Sequence, residues 1–401
     1  MSFPLTTISL ISTDFLPYAR VLAESVHAHH DGARVLLVVV DGAPDAAPEP
    51  GIELLTPAQI GCGAEELAIR ALAYETQALT SSLKGLALAA ALRQAGGPVL
   101  LLDADILVCA DLGPVLEKVV RHTVLLSPHS SRPLPTGAGD ETFLRSGVFN
   151  GGFVGVAPGA EEFCAWWDSR IARRCIRDTA RGLMLSQSWL DLVPAMFDAG
   201  VERDPGVNVM GHNLHHRDIE RDSEGRWTIE GVSLRFFHFN SVDPGDPMRL
   251  GRVSEDSWTD FDGRPGVADL HREYLALLRA HGWPGTRSGR YTQLPDGQPI
   301  TPAMRRAYLD GLGGETPPNP LAGDAVDSFF DWLAAPDPTV GHPGLVRYLR
   351  ATHAVRADLR EHWPSVPGVH TEGFLNWCHG ELGEQDPAWG EIDRRRTAAS
   401  R

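Results

Sequence analysis

Two aspartates one residue apart, Asp103-Ala104-Asp105, follow directly on the apolar run Pro98-Val99-Leu100-Leu101-Leu102. Carboxylates that close repel one another unless a proton or a cation lies between them. Hard divalent ions such as Mg2+ and Mn2+ take oxygen ligands and bridge readily to phosphates. An Asp-x-Asp by itself is more often a strand-end turn, so its surroundings decide. Lys84, on the segment before that run, could carry a positive charge to a phosphate; alone it reads as an ordinary surface lysine. Phe149-Asn150-Gly151-Gly152-Phe153 places two glycines inside an apolar run. Such a pair marks either a bulge or the close approach of a ligand, to which Asn150 would offer its amide. His238 stands among Phe236, Phe237 and Phe239. It is either a hydrogen-bonded core residue or the third ligand that the Asp pair lacks. The remaining histidines singled out, His27, His29, His30, His212, His215 and His216, have no helical zinc spacing and read as surface or loop residues.

Positioning these groups requires a sheet. Thr7–Ser12 reads as a strand, Thr13-Asp14 as a turn, and Tyr18, Val21, Leu22 and Val26 recur at helical spacing. Arg34–Val40 is a continuous apolar run, as central parallel strands require, and it ends at Asp41-Gly42. A β-α-β opening predicts an α/β domain with a doubly wound sheet. A helix is expected from Thr56-Pro57, another over Ser81–Gln94, then the strand that delivers Asp103. In open sheets of this kind ligands bind beyond the carboxyl ends of the strands, which is where the Asp pair falls. Later strands are expected at Val124–Leu126, Val148-Phe149, Phe153–Val156 and Leu234–Phe239, with helices near Ala160–Ile176 and Trp189–Ala199. After about Leu250, Pro, Gly and Asp become frequent and only helical patterns remain. This predicts a sheet domain over 1–248 and a helical region over 249–401, with Gly311–Ala325 as a connector and Arg394–Arg401 as a frayed tail.

Composition narrows the partners. Fifty-two acidic residues against 36 Lys and Arg give a formal charge of −16, a field that repels nucleic acid. A small anion remains compatible if a metal or local cation neutralises it. The start of the chain lacks the pattern of a signal peptide, and no apolar stretch reaches the ~20 residues of a membrane span. Five scattered cysteines, Cys62, Cys109, Cys164, Cys175 and Cys378, show no metal spacing and fit a reducing cytoplasm.

Taken in order, these segments resemble a nucleotide-sugar transferase of the GT-A fold, above all bacterial relatives of glycosyltransferase family 8, whose members retain the donor's anomeric configuration. Leu79–Lys84 resembles the family's helix with a basic residue, and Leu101–Ile106 its Leu-Asp-x-Asp-Ile metal motif. Ser146–Phe153 is similar to its sugar-binding strand, and Gly182–Asp191 falls where an Asp-Gln pair is usual. Asp204–Val209 and Phe236–Asn240 follow in the expected order, so the likeness spans roughly residues 5–245. The resemblance implies that Asp103, Asp105 and His238 hold Mn2+ or Mg2+, with Asp105 essential to catalysis and Ala104 lining the donor between the two acids. Ser12, Thr13, Asp14 and Asp41 would border the nucleotide of a UDP-linked donor. Lys84, Asn150 and Gly151 would face the sugar and its phosphate, and Gln187 would lie beneath the anomeric carbon. The acceptor would be a hydroxyl on a glycan, a lipid-linked intermediate or a small natural product. Ser186 departs from the pattern, standing where an acidic residue normally binds donor hydroxyls. Asp191, one helical turn on, is not assigned that missing role. The C-terminal part resembles helical extensions on such enzymes in actinobacteria and would serve the acceptor side or a homo-oligomer contact. Two other readings stand beside this one. A nucleotidyltransferase should carry a Gly-rich basic loop where this chain has Ser12-Thr13-Asp14-Phe15, and a non-catalytic sugar-binding relative would account for Ser186.

Overall fold

The computed structural model describes residues 4–42, 49–134, 137–214, 217–252, 258–259, 261, 263–286 and 289–399. The chain divides into two compact units, Met1–Cys62 with Gln77–Ser288, and Gly63–Thr76 with Gly289–Arg401.

Continuous apolar runs build the centre of the first unit. Strands β1 (Thr6–Ile11), β2 (Arg34–Val39), β3 (Glu53–Leu55), β4 (Val99–Leu102), β6 (Val124–Pro128), β7 (Phe149–Val156) and β8 (Ala199–Val201) form one sheet in the order β8-β6-β7-β4-β1-β2-β3. All neighbours are parallel except β7, which runs antiparallel to both β4 and β6. A short ladder outside the sheet pairs β5 (Ile106–Val108) antiparallel with β9 (Phe236–His238). Side chains alternate across a strand, so Leu100 and Leu102 enter one core with Tyr18, Leu22 and Val26 of helix α1 (Leu16–His29). Helix α2 (Lys84–Ala95) packs on β1, β4 and the helix Glu161–Arg174. A Cβ on its Gly85 would lie 2.7 Å from the Asp168 nitrogen, so only glycine lets these two helices approach so closely. α2 ends at Gly96, whose φ of 63° suits a residue without a Cβ.

The expected α/β sheet flanked by helices, with a helical C-terminal region, is present. Several boundaries differ. Val148-Phe149 and Phe153–Val156 belong to one strand, and the edge strands β3 and β8 escape notice because each has only three residues. The turn after Thr56 holds no helix; Gln59 Oε1 accepts from the Thr56 N–H and hydroxyl, and helix begins only at Ala64. The composition change near 249 does not end the first unit, because helix α3 (Pro265–Ala280) buries Val267, Leu270, Tyr274 and Leu278 in the core shared with α1. The compact units divide at 288/289 instead.

The second unit is helical. Met304, Tyr308, Phe329, Phe330, Leu333, Tyr348, Leu349 and Phe374 are its fully buried interior. Residues 63–76 belong to it because Arg305 donates to the Ala71 and Tyr74 carbonyls, each at 2.6 Å, capping helix Ala64–Ala73. The expected frayed tail is helical through Ala399: Arg395 donates to Asp331 and Asp327, fixing that helix. Ser400 and Arg401 lie outside the described residues.

Candidate metal centre and donor site

The sheet topology brings the singled-out residues to one end. Because β7 is antiparallel, its first residues lie beside the carboxyl ends of β4 and β6. Leu102 pairs with Phe153, and the Asp103 N–H donates to the Gly152 carbonyl at 2.9 Å, so Asp103 emerges against the glycine pair. The β5–β9 ladder does the same for His238, which sits opposite Ile106. The Phe239 N–H completes this with a 2.8 Å bond to the Asp105 carbonyl.

Ligand atoms of Asp103, Asp105 and His238 all lie within 4.8 Å of one another. His238 Nε2 is 3.1 Å from Asp105 Oδ1, with the imidazole 4% exposed and the Asp105 side chain 20%. Asp103 keeps 34% of its side chain exposed, so both acids reach solvent from a buried base. Two carboxylates and one imidazole suit Mn2+ or Mg2+ rather than a thiolate-seeking ion. Gly152 leaves the cradle open: a Cβ there would come within 2.4 Å of His238 Cε1 and 2.9 Å of Asp103 Oδ2. The residues present fit a divalent cation.

Lys84 is no surface lysine. It is buried, and its Nζ donates to Asp103 Oδ1 at 2.7 Å and to the Gly151 carbonyl at 2.9 Å. Burial would raise the Asp105 carboxyl, but the charge and hydrogen bond of His238, with Lys84 beyond, hold it below the ordinary carboxylate range. Burial would likewise depress His238, and Asp105 outweighs it, so the imidazole is held above its usual value. Ala104 is buried between the two acids.

At the ends of β1 and β2 the expected nucleotide-bordering residues meet. Thr13 donates through its N–H (2.8 Å) and hydroxyl (2.9 Å) to Asp41 Oδ1, and the Ser12 hydroxyl donates to Asp14 Oδ1 at 2.5 Å. Asp41 is buried, so it braces the turn from behind. On the other flank, a Cβ on Gly151 would lie 3.0 Å from Gln187 Cβ and 3.4 Å from Ser186 Oγ. Gln187 Nε2 donates to the Ser146 carbonyl at 2.7 Å, which fixes its amide and leaves Oε1 as the open acceptor. Ser186 is buried. Asp191 accepts from the Val148 N–H at 2.9 Å and the Phe149 N–H at 3.3 Å, starting β7 rather than replacing the acid absent at 186.

Asn150 is held by its neighbours. Its side chain is buried, with Oδ1 accepting from the Gly152 N–H at 2.9 Å and Nδ2 at 3.4 Å from His129 Nε2. The amide therefore shapes the glycine turn instead of extending outward. His129 went unnoticed in the sequence although it follows β6 directly, at the same end of the sheet. Burial, then the neighbouring His212, press its imidazole down to about 3, so it stays neutral. His212 thus lies against the site rather than on the surface, its ring 5.8 Å from that of His129. His30 Nε2 accepts from the Leu112 N–H at 2.9 Å, a structural role. His215 and His216 lie outside the described residues. All five cysteines are free, and no helix among the described residues is long and apolar enough to cross a membrane.

No protein-family model matches the chain, and no curated protein matches its sequence. Among solved structures it is similar to the galactosyltransferase LgtC, crystallised with donor and acceptor sugar analogs, at 14% identity and a TM-score of 0.43 over 69% of this chain and 96% of that one. It is also similar to a glycosyltransferase involved in the glycosylation of the major capsid of PBCV-1 (14% identity, TM-score 0.34, 60% of this chain and 95% of that one). A third likeness is to the glycosyltransferase GlyE of Streptococcus pneumoniae (12% identity, TM-score 0.39, 69% and 63%).

Proposed function

We propose that the chain is a metal-dependent glycosyltransferase of the GT-A type, moving a sugar from a UDP-linked donor to a hydroxyl acceptor with retention of configuration. One observation carries the reading: two carboxylates and an imidazole converge within 4.8 Å at the carboxyl end of the sheet, with a buried ammonium beside them. Asp103, Asp105 and His238 would hold Mn2+ or Mg2+, which when bound supplies positive charge against the negative charge growing on a departing diphosphate. Lys84 adds a second charge already fixed in place by Asp103 and Gly151, so it needs no reorganisation as the bond breaks. The turn Ser12-Thr13-Asp14, braced by Asp41, would receive the nucleoside. Gln187 would turn its remaining carbonyl toward an oxocarbenium-like centre; an amide is a poor nucleophile, which favours same-face attack by the acceptor.

A second reading has one observation behind it. Ser186 offers a short buried hydroxyl beside Gly151 where donor hydroxyls would meet an acid, so a protein that binds sugar nucleotides with weak turnover remains in play. A cytoplasmic setting suits both readings. Incubation with Mn2+ and a panel of nucleotide-sugars separates them: slow, metal-dependent donor hydrolysis supports the enzyme, and binding without turnover supports the second reading. Asp105→Ala should abolish hydrolysis while melting near the wild type. Undiminished activity in that variant would remove the assignment, and an inverted product anomer by NMR would remove retention.

A further inference from the structure

Among the described residues, His238 Nδ1, His271 Nε2 and the Tyr274 hydroxyl are buried polar atoms without a hydrogen-bond partner. Tyr274 comes from α3, beyond the last strand of the sheet unit, and is fully buried. Its ring lies flat on Phe239, with centroids 3.8 Å apart and planes 4° apart. Phe239 follows His238 in the chain, and its N–H bonds the Asp105 carbonyl at 2.8 Å. The stack therefore ties Tyr274 to the backbone that carries two of the three proposed ligands. After burial, the Asp105 carboxylate is what most strongly raises the Tyr274 phenol, with Tyr18 following.

An orphaned buried hydroxyl is destabilising, whereas a phenylalanine ring would fill the same slot without that cost. The hydroxyl therefore needs a partner in the working site. Asp105 Oδ1 faces His238 Nε2 at 3.1 Å. An imidazole nitrogen that ligates a cation has no proton left to donate, so a carboxylate sharing that cation loses that donor and can take another. We propose that Tyr274 is that donor: a positioning residue whose hydroxyl holds the Asp105 carboxylate for cation binding. Tyr274 loses no proton and makes no contact with substrate. The inference rests on the cation-binding reading of Asp103, Asp105 and His238.

The test is Tyr274→Phe in the full chain, with MnCl2 binding by isothermal titration calorimetry and a thermal melt. Loss of an outer hydrogen-bond partner weakens a metal site by roughly 10–100-fold. The expected result is Mn2+ affinity about tenfold lower at an unchanged or higher melting temperature, because the orphan hydroxyl is gone. Tyr308→Phe, which removes a phenol of the second unit bonded to Asn319, should leave Mn2+ affinity as in the wild type. Wild-type affinity in Tyr274→Phe, or an equal loss in both variants, overturns the inference while leaving the cation site standing. A wild type that does not bind Mn2+ overturns the site and this role together.

Discussion

Gly152 is the position where one methyl group should disable the site without unfolding the sheet. A Cβ there would lie 2.4 Å from His238 Cε1, 2.9 Å from Asp103 Oδ2 and 3.0 Å from Asn150 Oδ1. Carbon atoms settle at about 3.5 Å or more, so the imidazole would have to retreat by about 1 Å. It has little room to do so, because His238 is buried and its own N–H is held by the Val209 carbonyl at 2.8 Å. Metal–ligand distances tolerate only about 0.2 Å, so a shift of that size removes a ligand. Gly152→Ala should therefore lower Mn2+ affinity at least tenfold by calorimetry, at a cost of about 1–3 kcal/mol in urea unfolding from overpacking. Gly155→Ala on the same strand is the control. Its methyl would press Val119 Cγ2 at 2.5 Å, on a different set of neighbours, so it should cost similar stability and spare cation binding. Wild-type Mn2+ affinity in Gly152→Ala, or equal losses in both variants, would refute the assignment of His238 as a ligand.

Two further perturbations separate charge from shape. Lys84→Met removes the ammonium between Asp103 and Gly151; donor turnover should fall tenfold or more while Mn2+ binding holds or tightens, and parallel loss of both would deny Lys84 a role toward the phosphates. His129 has a folded value of about 3 against an unfolded value of 6.5, so the unfolded chain takes up the proton first as pH falls. Its contribution to stability is complete above about 6.5 and drains away toward about 3, which makes about 2 kcal/mol by pH 5. In His129→Gln the difference between the unfolding free energies at pH 8 and pH 5, from urea titrations, should shrink by that amount, and an unchanged difference would place the acid sensitivity elsewhere.

The parts legible in the sequence are those where one force dominates. Arg34–Val39 and Val99–Leu102 must be buried on both faces, so their apolar runs mark central parallel strands, and Asp103 marks a carboxyl end. Edge strands such as Glu53–Leu55 carry no such signal, because half of their hydrogen bonds and one side face outward. The helix Pro387–Ala399 is hidden for another reason: its arginines look like a solvated tail until Asp331 and Asp327 arrive from 64 and 68 residues earlier in the chain. Around the site, residue type pointed to the Asp103, Asp105 and His238 cluster but not to its supports. Tyr274 sits at helical spacing among Leu270 and Leu278 and reads as core, which it also is. Only the stack on Phe239 sets it beside the segment that carries His238. For Asn150, the sequence gives no sign of the bond that its side chain accepts from the Gly152 N–H, because that bond forms only with the turn.

The charges of the cluster explain why a neutral imidazole matters more than its small size suggests. As they stand, the Lys84 ammonium and a protonated His238 balance the carboxylates of Asp103 and Asp105. Adding a divalent ion while His238 gives up its proton would leave the cluster one unit positive. A site of that sign, partly screened from water, attracts a diphosphate despite the −16 of the whole chain. His238 is held above its ordinary value by Asp105, so proton and cation compete for the same nitrogen. Cation affinity should therefore climb as pH rises through the folded value of His238 and level off above it. Over the same rise, the stability that the His238–Asp105 pair gives the folded chain, complete below the unfolded value of 6.5, is lost. A titration of Mn2+ affinity and melting temperature across that range must show the two trends running in opposite directions; if they move together, the imidazole is not where the proton and the cation meet.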